Sequence, residues 1–211
     1  EAAFGRGDSG LRPVTDVQVV GGDTAGGESG PHLPANKDMW VFVLGDLVIF
    51  SGYFIIFMVY RHQEHELFLE SQQHLSLNAG VLNTLVLLAS SWFVARSVQF
   101  TRVGDYSRAI RFTVFGGLCG VAFLVIKAFE WSSKIAQGHT FPSNDFFMFY
   151  YMLTGVHLFH VALGLVFLGV TYVELRNPSH RRVSMVETGA TYWHMVDLLW
   201  VVIFALVYVM R

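Results

Sequence analysis

The sequence is almost without cysteine. Its one thiol, Cys119, lies inside an apolar run, so the chain can form no internal disulfide, and no Cys-x-x-Cys-His is present to attach haem covalently. Charge is scarce too. Only 14% of the 211 residues are charged and the formal net charge is -2, which excludes the basic face that nucleic-acid phosphates require. A phosphate-cradling loop is also missing. The segment "GGDTAGG" lacks the Gly-Lys-Ser/Thr ending, and no phosphate-binding helix follows it.

What is present in quantity is hydrocarbon. Hydrophobic residues make up 53% of the chain and the mean hydropathy is +0.46, with charges gathered between long apolar stretches. Five stretches approach the roughly 20 residues needed to cross a bilayer: about Met39 to Tyr60, Leu75 to Phe100, Ala109 to Ile135, Phe146 to Tyr172 and Ala190 to Met210. The expected fold is all-α, a polytopic five-transmembrane-helix bundle over residues 38–211 with no room for a separate soluble domain. Residues 1–37, rich in glycine and small polar side chains, read as a flexible, disordered N-terminal tail.

Orientation follows from the connections. Arg96, Arg102, Arg108 and Arg111 surround the second connection and Arg176, Arg181 and Arg182 fill the fourth, whereas the first carries Glu64, Glu66 and Glu70. Arginine-rich loops stay in the cytoplasm, so the N-terminus is expected inside and Arg211 outside. His62, His65 and His74 in the first connection admit a metal site, but their acidic neighbours favour a solvated loop.

Ionisable groups inside the spans carry the functional question, because an ionisable side chain at depth is costly in lipid. At 1.5 Å rise per residue, Asp46, His160 and Asp197 all fall roughly 10 Å from the inner surface and His194 roughly 6 Å. These four are expected to form a buried polar cluster. Glu130 is expected near the outer surface with Trp131 as an interfacial anchor beside it, and Lys127 is expected to snorkel to that surface. On the fourth span, Leu153, His157, His160, Gly164 and Phe167 share one stripe that must face protein. Its histidines fit polar glue between helices or, with His194 and Asp197 as the only deep partners, metal or haem ligation. Asn83, Ser90 and Ser91 share a face of the second span, and Gly116 and Gly120 are spaced for close helix approach.

The runs "WVFVLGDLVIFSGYF", "NTLVLLASSWFVA", "KAFEW", "FFMFYYMLTGVHLFHVALGL" and "YWHMVDLLW" carry a resemblance. In order and spacing they resemble subunit III of the haem-copper cytochrome c and quinol oxidases, over about residues 39–210. The family's first acid is typically a glutamate after serine, where this chain has Gly45 and Asp46; its "Q-x-x-EY" stands here as Lys127 to Trp131. Five spans match short bacterial forms, and "MWVFVLGDLVIF" is similar to the branch associated with nitric oxide reductase.

The resemblance implies an accessory, non-catalytic subunit in a prokaryotic inner membrane. It implies no haem, copper or other metal in this chain, those cofactors belonging to a large catalytic partner subunit. Other oxidase or reductase subunits and phospholipids are the further implied partners, with support of proton uptake and gas access as the implied role. Asp46, His160, His194 and Asp197 then become a hydrogen-bonded cluster, and Glu130, Trp131, His157 and Asn83 lipid or packing contacts. A membrane cytochrome would instead use His157 or His160 with His194. A proton-coupled transporter would use Asp46 and Asp197, with an inverted repeat or broken helices that the sequence does not show.

Overall fold

The computed structural model describes residues 37–178 and 181–210, so the expected tail over residues 1–37 lies, apart from Lys37, outside the described residues. Helices α1 (Lys37–Gln63), α2 (His65–Gln73), α3 (Leu77–Arg102), α4 (Tyr106–Ala136), α5 (Asp145–Arg176) and α6 (Val183–Phe204) follow one another, and a π-helical turn (Ala205–Val209) continues α6. All but α2 are long and apolar enough to cross a membrane. The all-helical, five-span fold is therefore present, with the last helix starting at Val183 instead of near Ala190.

The spanning helices form because each is a continuous run of apolar side chains whose backbone groups must be satisfied internally. Their ends are set locally. Asp105 accepts a hydrogen bond from the Arg108 backbone at 3.1 Å, and Asn144 accepts one from the Phe147 backbone at 2.9 Å, capping α4 and α5. Gly104 and Gly138 close the turns beyond α3 and α4 with φ of 79° and 86°, a conformation glycine adopts without strain.

Helices α3, α4, α5 and α6 pack in a ring, each against the next, with α1 alongside α5 and α6. Trp193 is fully buried at the centre of that ring. It fits because Gly120 and Gly164 have no side chains: a Cβ there would come within 2.6 and 2.7 Å of the indole. The indole nitrogen donates to Ser90 Oγ at 3.0 Å, and Ser90 in turn donates to the Gly116 carbonyl at 2.8 Å. Ser90, on the face it shares with Asn83 and Ser91, thus links α3 to α4 and α6.

One connection departs from expectation. The stretch read as a solvated loop contains α2, built from good helix formers, whose Phe68 is buried against Phe57 and Phe146 at ring separations of 5.5 and 5.4 Å. Gln72 Nε2 donates to the Val207 and Met210 carbonyls at 2.9 and 2.8 Å. These two bonds satisfy acceptors the last helical turn leaves open. At the opposite end, Arg102 pairs with Glu187 at 2.8 Å and the Arg181 guanidinium lies 4.1 Å from the centre of the Tyr106 ring. The two arginine-rich connections thus share one end of the bundle.

Candidate functional site

Lys127 sits on α4 where it can only face the interior, and its side chain is fully buried. It does not snorkel. Its ammonium donates to Glu130 Oε2 at 3.1 Å, to Tyr150 Oη at 3.2 Å and to Tyr208 Oη at 2.6 Å. Tyr150 donates to Glu130 Oε1 at 2.9 Å, and Tyr208 donates to the same oxygen. The Tyr150, Tyr208 and Trp200 rings also lie within 4.9, 5.1 and 5.2 Å of the ammonium.

The physical reason for the departure is saturation. Burying an ion pair costs several kcal/mol per ion unless its remaining donors and acceptors are met. Here one carboxylate receives an ammonium and two phenols. The π turn brings Tyr208 into this circuit by changing the angular spacing of the last residues. Sequence reasoning missed Tyr150 and Tyr208; the available signal was a phenol on each of two apolar helices, since buried tyrosine hydroxyls seek a partner. Trp131, expected as an interfacial anchor, is part-buried with its ring 5.3 Å from Tyr151.

A second polar centre joins α1 to α5. Asp46 Oδ2 lies 3.4 Å from His160 Nε2, while His160 Nδ1 is 2.8 Å from the Val156 carbonyl. A carbonyl can only accept, so Nδ1 carries a hydrogen. The Asp46 contact is at ion-pair distance and outside hydrogen-bond geometry.

His194 takes another partner. His194 Nδ1 is 2.7 Å from Ser91 Oγ on α3. Asp197 is buried with both carboxylate oxygens outside hydrogen-bond geometry, although Ser91 is near enough to interact with it. Among the described residues, no hydrogen bond or ion pair links these two to Asp46 or His160. His157 is fully buried between Phe123 and Trp200, at ring separations of 5.6 and 5.2 Å, and neither ring nitrogen has a partner. Asn83 is likewise buried with its amide unpartnered. Among the described residues, no three His, Cys, Asp or Glu side chains gather to hold a metal ion.

A family model described as cytochrome c oxidase subunit III matches residues 34–211. The chain belongs to the cytochrome c oxidase subunit III family. Among curated relatives, a probable cytochrome c oxidase subunit 3 of Mycobacterium leprae is 31% identical over 175 residues, covering 81% of this chain and 85% of the relative. Cytochrome c oxidase subunit 3 of Synechocystis is 30% identical, covering 81% and 73%. Quinol oxidase subunit 3 of Bacillus subtilis is 25% identical, covering 81% and 84%. As a subunit III, the chain is a multi-pass membrane protein and an accessory subunit of a terminal oxidase.

Proposed function

We propose that this subunit III buttresses the large haem-copper catalytic subunit in a prokaryotic inner membrane, contributes no redox group, holds phospholipid, and supports proton uptake and gas access. The observation that carries the reading is the use made of its ionisable groups. Through Tyr150 and Tyr208, Lys127 and Glu130 are engaged in contacts between helices, as are Asp46, His160 and His194, which is the work of a scaffold. Haem and copper then reside in the partner. The arginine-rich end of the bundle faces the cytoplasm, with the C-terminus outside.

The test is purification of the tagged chain from its native membranes in mild detergent. A large haem-copper subunit should co-purify in fixed ratio, whether that complex reduces oxygen or nitric oxide. Recovery of the chain alone, or with an unrelated transporter, would overturn the proposal.

A further inference from the structure

Helix α6 is the most enclosed span, yet it keeps a narrow outward ridge that runs from Glu187 through Thr191 and His194 to Leu198, at helical spacing. His194 lies about two turns beyond Glu187, whose pairing with Arg102 marks the charged end of the bundle. It is part-exposed. Ser91 occupies its Nδ1, and among the described residues its Nε2 has no hydrogen-bond partner. Lipid tails cannot supply one, and polar side chains at this depth face protein or water. Outward residues elsewhere differ: Leu118 and Val121 on α4 and Val166 and Val170 on α5 are exposed and wholly apolar, as a lipid-facing surface requires.

We infer that the α3–α6 seam around Ser91 and His194 is the docking face for a transmembrane helix of the catalytic subunit, which presents a hydrogen-bonding group to His194 Nε2. The inference rests on the proposed function and names the face that carries it. Ser91 fixes the direction of the imidazole. Leu88 on α3 and Leu198 on α6, 50% and 55% exposed, flank it as the apolar contact. A polar point inside an apolar patch sets register between two spans at small energetic cost.

The experiment is site-directed photo-cross-linking in the intact complex, in a Cys119→Ala background. A thiol-linked photoprobe is placed by Leu198→Cys on the seam or by Val166→Cys on the α5 face. The seam probe should cross-link to the catalytic subunit and the α5 probe to lipid. In a second arm, His194→Leu should speed dissociation of the complex in detergent roughly three- to tenfold, the range for one interhelical hydrogen bond in a membrane, and His194→Gln should restore it. Cross-linking of the seam probe to lipid, or to a second copy of this chain, would overturn the inference while leaving the accessory role standing. Failure of any haem-copper subunit to accompany the chain would instead sink the proposed function, and the docking face with it.

Discussion

Lys127 and Glu130 are the residues on which a substitution should act most strongly. Glu130→Leu leaves a buried ammonium and two phenols without their acceptor, and removing one partner of a buried pair costs about 3 to 5 kcal/mol. Lys127→Gln should cost less, because an amide donor can still reach the carboxylate; thermal unfolding of the two variants in detergent would give the order. Asp46 tests a different property. If its contact with His160 only holds α1 to α5, the Asp46→Asn complex should keep near-normal initial turnover, measured by oxygen or nitric oxide consumption. His139, in the connection between α4 and α5, carries a pH effect. Burial, then the nearby His74 and Lys134, hold its pKa below the ordinary imidazole value. The folded state therefore binds a proton less readily than the unfolded chain. Its contribution to stability is present above the ordinary histidine value and is lost as pH falls through it toward the lower folded value. His139→Gln should flatten that part of the stability curve, followed by unfolding at pH 5 to 8.

The packing of α4, α5 and α6 depends on the space that Gly120 and Gly164 leave for Trp193. Gly164→Ala places a methyl within 2.7 Å of a fully buried indole, and overpacking of this kind typically costs 1 to 3 kcal/mol. Gly169→Ala, on the same helix with open space around it, should be neutral in the same unfolding assay. The sequence made the spanning helices legible because a bilayer demands long apolar runs and permits little else. It left α2 hidden, since a nine-residue helix has no such requirement and its burial depends on Phe57 and Phe146 from distant segments. Lys127 misled for the same reason. Read alone it belongs at a surface, and its partner Tyr208 stands 81 residues away on a π turn with no clear sequence signal. Depth along each helix brought Asp46 and His160 to one level, but depth carries no azimuth, so it could not show that His194 turns to Ser91 instead.

At the scale of the whole molecule, the arginine-rich connections at one end of the bundle set a topology that cysteine labelling can read. In a Cys119→Ala background, Arg102→Cys should be modified only by reagents that reach the cytoplasm, and a cysteine in place of Arg211 only from outside; the reverse pattern would refute the orientation. Central to the account is that this subunit III lends its partner structure and no redox chemistry. The direct measurement is the visible spectrum and metal content of the chain after it has been stripped from the native complex, refolded helicity being confirmed by circular dichroism. The account predicts a colourless, helical protein without stoichiometric haem, copper or iron. A haem absorption band in fixed ratio to the isolated chain would contradict it.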